Sequence, residues 1–165
     1  MVMEWIPDQV RGDEDIATRA APTRSSTMFD HTGIVVTDLA RARAFYDAIG
    51  KPLGLVTADN GDQAFVFGKS KEEPIPYLWI GTLRPSYWVT GSRAGINQMH
   101  VALIAPSKEA VHAFHAAGIA AGGKDHGAPG PREGAVGYYG AFLLDPDGNN
   151  IEACFRDNLP YLHRT

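Results

Sequence analysis

The sequence predicts an α+β domain built from two tandem β-α-β-β-β modules. The main observation is an internal repeat, in which a strand, a capped helix and further strands occur twice. The repeat has a constant offset of 69 residues at three positions, since His31, Asp38 and Phe45 align with His100, Ser107 and Phe114. The length of 165 residues and the 44% apolar content are typical of one folded domain.

The first module begins with a strand and a helix. The β-branched run 29–36 indicates the strand. Apolar residues then recur at helical spacing in LARARAFYDAIG, residues 39–50. Thr37 and Asp38 are candidate N-caps, and Gly50 stands where a C-cap is expected.

The second module repeats this order. NQMHVALIA, residues 97–105, predicts the strand, and Ser107 caps a helix expected to end at Gly118. Later strands are predicted at 62–68 and 76–82 in the first module and at 138–145 and 150–155 in the second. A further short strand is expected in KPLGLVTA and around IAAGGKD, and DPDGNN predicts a tight turn before the last strand.

Composition and charge exclude several classes of function. A net charge of −4 gives no general attraction to phosphate backbones, so we expect no nucleic-acid partner. No stretch approaches the roughly 20 apolar residues that span a bilayer, so we expect no membrane partner. The single cysteine fits a reducing compartment, and we expect a cytoplasmic protein. Residues 1–27 are expected to form a flexible extension, 28–157 the domain (modules 28–83 and 97–157), and 158–165 a tail.

Three residues form a candidate metal site. His31 and His100 occupy equivalent positions in the two modules, so pseudo-symmetry can direct both into one cavity. Glu152 interrupts an apolar strand, where a carboxylate is costly unless it is paired or bound to a cation. Two imidazoles and one carboxylate are an open divalent-metal set. Taken singly, each residue is also explained as a surface or hydrogen-bonded side chain. His126 lies in a glycine-rich segment expected to be a lid or a simple connection.

These features resemble the vicinal oxygen chelate superfamily, which includes glyoxalase I, extradiol dioxygenases and bleomycin-resistance proteins. The resemblance rests on DHTGIVVTDLARARAFYDAIG, NQMHVAL and DPDGNNIEACF, and covers residues 28 to about 157. It implies a curved mixed sheet around a central cavity. It also implies His31, His100 and Glu152 as metal ligands, and a homodimer with sites near the subunit boundary.

The sequence departs from the glyoxalase I type at the fourth ligand. No Asp, Glu, His or Cys occurs between residues 74 and 97, and Trp79 is expected to stand there as an aromatic wall. The remaining three-ligand set resembles the dioxygenase branch, which implies a second-sphere His and Tyr. His126 and Tyr139, or Tyr138, are the candidates, and Tyr138 and Tyr139 are also expected to line the substrate pocket.

The resemblance implies a metal-dependent enzyme acting on a small substrate that chelates the ion through neighbouring oxygens, as a lyase, isomerase or dioxygenase. One divalent ion per site is expected, with Zn, Ni, Mn and Fe all compatible. Glu152 could also act as a base. The alternatives are a drug-sequestering binding protein of the bleomycin-resistance type, favoured by the 16 aromatic residues, and a module that retains the ligands by descent.

Overall fold

The structure, a computed structural model, describes residues 29–72, 76–95, 99–132 and 137–157. The expected extension 1–27 and tail 158–165 lie outside these residues. The elements follow in the order β1 (His31–Val35), α1 (Leu39–Gly50), a 3₁₀ turn (Lys51–Leu53), β2 (Val56–Asp59), β3 (Ala64–Gly68), β4 (Tyr77–Gly81), β5 (His100–Ile104), α2 (Lys108–Ala120), β6 (Lys124–Pro131), β7 (Tyr138–Leu144) and β8 (Asn150–Arg156).

The two β-α-β-β-β modules are confirmed, and each forms its own four-stranded mixed sheet. The strand orders are β1-β4-β3-β2 and β5-β8-β7-β6. In each sheet the first and last strands of the module pair in parallel, and the other pairs are antiparallel. Among the described strands, β1 and β5 therefore each lie at a sheet edge with one hydrogen-bonded neighbour.

One hydrophobic core joins the modules. Phe45 and Ile49 of α1 and Phe114 of α2 are fully buried in it. Gly118 lets α2 approach closely, because a Cβ there would lie 2.2 Å from Leu143 Cδ1 and 3.1 Å from Ile49 Cγ2. The burial of these apolar side chains is the main force that stabilises the pair of modules.

The N-caps are confirmed, but the two predicted helix ends are wrong. Asp38 and Ser107 accept hydrogen bonds from backbone N–H groups three residues on, as capping residues do. Gly50 is still helical, and the left-handed turn comes at Gly54, with φ 68°. The second helix runs past Gly118 to Ala120. Both glycines are required for close packing rather than for chain reversal, since a Cβ on Gly50 would lie 2.7 Å from Leu55 O and from Phe67.

The turn before β8 links the two modules. Asp145 is only 2% exposed and accepts hydrogen bonds from the Asn149 side chain at 2.8 Å and from the Tyr46 hydroxyl at 3.1 Å. Burial raises the pKa of Asp145, and burial and the adjacent carboxylate raise that of Tyr46. Asp147 extends the link by accepting from Thr37 on the first module at 2.5 Å.

The segment around His126 is not a loop. It forms β6, which pairs with β7 through two register shifts near Gly127. Bulges accommodate Gly and Pro, which are common in this segment. Its sequence therefore lacks the alternation of apolar and polar residues by which an ordinary strand is recognised. In the described part of the chain, no helix is both long and apolar enough to cross a membrane.

Candidate functional site

Strand alternation divides the second sheet into two faces. Leu143 of β7 and Ile151 of β8 are fully buried in the core against α2. Residues one step out of phase point to the opposite face, which we call the site face. Its members on β5, β7 and β8 include His100, Tyr138, Gly140, Phe142, Glu152 and Cys154.

Glu152 is the central residue of the site face. It is 1% exposed, so its carboxylate is removed from solvent. Its Oε2 lies 3.0 Å from His100 Nε2, and its Oε1 accepts a hydrogen bond from the Tyr138 hydroxyl. Partners on both oxygens offset the several kcal/mol that an isolated buried carboxylate would cost. The predicted neighbours His100 and Glu152 are thus brought together, with Tyr138 as a third member.

Gly140 provides the space for the Glu152 carboxylate. A Cβ at this position would lie 2.7 Å from Glu152 Oε1. The absence of a side chain leaves a notch between Tyr138 and Phe142, the two aromatic neighbours on the same face of β7. Burial, and then the hydrogen bond to Glu152, raise the pKa of Tyr138 well above its usual range, so this hydroxyl remains a donor at neutral pH.

His100 opens onto a cavity. Its side chain is 47% exposed, and its ring lies 5.8 Å from that of Phe142. A cavity of about 380 Å³ is lined by both His100 and His126, together with Asn150. The structure therefore places His126 in the lining of the same cavity as a predicted ligand, His100.

A second cavity adjoins the first. It measures about 330 Å³ and is lined by residues 33–35 of β1 and by Tyr87 and Trp88 of the β4–β5 connection. Met99 and Asn149 line both cavities. The first module therefore contributes β1 to the same concave region.

His31 does not join His100 and Glu152 within one chain. Its Nδ1 lies 2.6 Å from Asp30 Oδ1, and its ring stacks on Tyr77 with the centroids 5.1 Å apart. Within the described ranges, no three His, Cys, Asp or Glu side chains are close enough to hold a metal ion. In the described part of one chain, His100 and Glu152 are thus close together, and His31 is not part of the same group.

Trp79 occupies the position in the first module that Glu152 occupies in the second. In the parallel strand pairs, Trp79 lies opposite Gly33 and Glu152 opposite Ala102, which is the repeat equivalent of Gly33. The indole covers Gly81, where a Cβ would lie 2.3 Å from Trp79 Cη2. The first module therefore presents an aromatic surface where the second presents a carboxylate.

Tyr139 points to the other face of β7. Its hydroxyl lies 2.7 Å from His112 Nε2 on α2, and the structure does not bring it to Glu152. The alternation of side chains along YYGAFLL predicts this orientation. Ala141 and Leu143 are core residues, and Tyr139 lies on the same face of β7 as they do. The same phase places Gly140 and Phe142, which the sequence reasoning missed, beside Glu152.

The comparisons with known proteins agree with this architecture. The profile of the Glyoxalase/Bleomycin resistance protein/Dioxygenase superfamily matches residues 28–153. A solved glyoxalase/bleomycin resistance protein from Albidiferax ferrireducens is 35% identical, with 79% of this chain and 99% of that chain covered and a TM-score of 0.64. No curated protein matches the sequence.

More distant structures share the fold. A glyoxalase-related enzyme from Fulvimarina pelagi is 18% identical, with 78% of this chain and 88% of that chain covered and a TM-score of 0.58. A Burkholderia phytofirmans enzyme described as glyoxalase/bleomycin resistance protein/dioxygenase family is 18% identical, with 77% and 97% covered and a TM-score of 0.56. Profile and structures together show that the chain belongs to the Glyoxalase/Bleomycin resistance protein/Dioxygenase superfamily, the vicinal oxygen chelate group.

Proposed function

We propose that the protein is a metal-dependent enzyme acting on a small substrate that chelates a divalent ion through neighbouring oxygens, as a glyoxalase-like lyase or isomerase or as a dioxygenase. The observation that carries this proposal is the His100–Glu152 pair. A carboxylate that is 1% exposed, with an imidazole nitrogen 3.0 Å from one oxygen, has a spacing at which both groups can bind one cation.

His100, Glu152 and His31 would hold the ion. Imidazole and carboxylate ligands accept Zn, Ni, Mn or Fe. Such an ion, when bound, acts as a Lewis acid that stabilises negative charge on substrate oxygens. Because only three protein ligands are proposed, coordination positions remain open for a substrate.

Neighbouring residues orient the two ligands. Tyr138 donates to Glu152 Oε1 and so leaves Oε2 facing His100. The Phe142 ring restrains the His100 imidazole from one side. Hydrogen-bonded and packed partners of this kind fix the orientation of metal ligands. His126 lines the same cavity and is proposed to exchange a proton with the substrate there.

We propose that His31 comes from a second copy of the chain. Both histidines lie on edge strands, His31 on β1 and His100 on β5. An edge strand carries unpaired backbone groups that suit association with another chain. A homodimer in which β1 of one copy meets β5 of the other would complete the ligand set at the subunit boundary. Trp79 would then form a wall of that site.

The proposal is tested by metal analysis of the protein purified without a histidine tag. We expect close to one divalent ion per chain, and loss of most of it in Glu152→Gln and His100→Ala. His112→Asn is the matched control, since His112 lies on the other side of the sheet beside Tyr139. Metal content unchanged in both site variants would overturn the proposal. Saturable binding of aromatic ligands in excess chelator would instead indicate sequestration.

A further inference from the structure

The histidines of the chain differ in the ring nitrogen through which each is held. Three of them make their polar contact through Nε2, namely His100, His112 and His115. His31 is held through Nδ1 instead, which lies 2.6 Å from Asp30 Oδ1. A contact at Nδ1 leaves Nε2 as the ring nitrogen of His31 that faces a ligand.

The Asp30 carboxylate selects one tautomer of the neutral His31 ring. A carboxylate accepts hydrogen bonds, so Nδ1 carries the proton that is donated to Asp30 Oδ1. In neutral imidazole, a proton on one ring nitrogen leaves a lone pair on the other, here Nε2. Histidines that bind metal ions are neutral, and they commonly donate their second ring N–H to a carboxylate. The Asp30–His31 pair therefore has the bonding pattern of a metal-binding histidine.

Tyr77 fixes the plane of the His31 ring. The two residues are direct partners in the parallel pairing of β1 with β4. Their rings are stacked, with an interplanar angle of 8° and the centroids 5.1 Å apart. A half-turn of the imidazole about its Cβ–Cγ bond would keep this stacking but would break the hydrogen bond to Asp30. The two contacts together therefore give Nε2 of His31 a defined direction.

The His31 side chain is held by these two contacts although it is 53% exposed. Exposed ion pairs contribute little to the stability of a fold, and ordering an exposed side chain costs conformational entropy. The pair of His115 with Asp125 differs, because that imidazole is partly buried and is held through Nε2. Stability thus explains the ordering of His31 poorly. An exposed ring that is oriented in advance suits a ligand approaching from outside the chain, as the proposed second copy would bring it.

We propose that Asp30 is a positioning residue, which holds His31 as the Nδ1–H tautomer so that its Nε2 binds the divalent ion. This inference rests on the proposed function, which it deepens by naming the coordinating atom and the residue that directs it. His100 also presents Nε2, since that atom lies 3.0 Å from Glu152 Oε2. The two repeat-equivalent histidines would therefore bind the ion through the same ring nitrogen.

The tautomer is measured first, by ¹⁵N NMR of the histidine rings in the full chain after EDTA treatment. Spectra are recorded at about pH 9, well above the range in which free imidazole titrates. We expect His31 to carry its proton on Nδ1 in the wild type and mainly on Nε2 in Asp30→Ala. Asp30→Asn should keep the wild-type tautomer, because its side-chain oxygen still accepts from Nδ1–H. Asp125→Ala is the matched control, since it removes the carboxylate partner of another histidine and should leave the His31 signals unchanged.

Calorimetric titration with Zn²⁺ then measures the consequence for metal binding. Asp30→Ala should bind Zn²⁺ about tenfold or more weakly than the wild type, as loss of a partner that orients a metal ligand does. Asp30→Asn should lose less affinity than Asp30→Ala, and Asp125→Ala should stay within about twofold of the wild type.

Three results would overturn the inference: a proton on Nε2 of His31 in the wild type, Zn²⁺ affinity unchanged in Asp30→Ala, or equal losses in Asp30→Ala and Asp30→Asn. The last result would assign the effect to charge rather than to the hydrogen bond. Failure of the proposed function has another signature, in which the wild type binds no Zn²⁺ although Nδ1 of His31 carries the proton. The inference then falls with the function.

Discussion

Trp79 and Glu152 occupy equivalent positions on the last strands of the two modules and present opposite chemistry. Each lies opposite the central residue of the parallel first strand of its module. The indole spreads over Gly81, whereas the carboxylate fits the notch at Gly140. The repeat therefore provides a symmetric scaffold in which equivalent positions carry an indole in the first module and a carboxylate in the second.

This equivalence predicts the effect of Trp79→Glu. A carboxylate in this register would restore a fourth protein ligand, and we expect divalent-metal affinity to rise about tenfold or more, as an added charged ligand provides. The comparison is with Trp79→Gln, which removes the same indole without adding charge. Calorimetric titration with Zn²⁺ measures both. Equal affinities in the two variants would show that position 79 does not face the metal.

The proposed shared site predicts rescue between inactive variants. His31→Ala and His100→Ala should each lose metal when pure. Mixed and reassociated, they should regain about a quarter of wild-type metal content, because half of the dimers are mixed and each mixed dimer has one intact site of two. In the control, the two variants are refolded separately and combined under conditions in which the dimers do not exchange subunits. No rescue after verified exchange would contradict the shared site.

The repeat determined how much of the fold was predictable. His31 and His100 begin β1 and β5, and the helices start 69 residues apart at Leu39 and Lys108, because capping and apolar spacing are local signals. The short strand predicted around IAAGGKD reaches only the start of β6. The rest was not predictable because Gly127 and its neighbours form bulges, which are stabilised by pairing with β7 rather than by local preference.

The site was predictable only in part. Glu152 was identified because a carboxylate in an apolar strand needs a partner, and His100 is that partner. The choice between Tyr138 and Tyr139 required the phase of β7, which the buried Leu143 sets. The separation of His31 from the pair depends on how the two sheets pack, and no local pattern in the sequence carries that information.

Tyr138→Phe should destabilise the protein. The variant leaves Glu152 Oε1 buried without its donor, and an unsatisfied buried acceptor costs about 1–3 kcal/mol. Urea unfolding monitored by fluorescence measures the loss. Tyr87→Phe is the control, since Tyr87 is 77% exposed and its variant should stay within about 0.5 kcal/mol of the wild type. A loss in Tyr138→Phe no larger than in this control would contradict the described role of the hydroxyl.

Asp145 predicts a pH dependence of stability. Burial raises the pKa of this carboxyl, and the hydrogen bonds from Asn149, Tyr46 and the Asp147 backbone oppose part of the increase. The folded state therefore binds this proton more tightly than the unfolded state, whose Asp pKa is about 3.9. The stability contributed by this group is complete below that value and is lost as pH rises through the higher folded pKa.

Asp145→Asn removes the titration and isolates its effect. The free energy of unfolding of the wild type, minus that of the variant, should increase as pH falls from 7 towards 4, by about 1.4 kcal/mol for each unit by which the pKa is raised. Urea unfolding of both proteins at several pH values measures the difference, and subtraction removes the titration of carboxyls common to both. A difference that is constant, or that grows towards pH 7, would mean that the hydrogen bonds to Asp145 outweigh its burial.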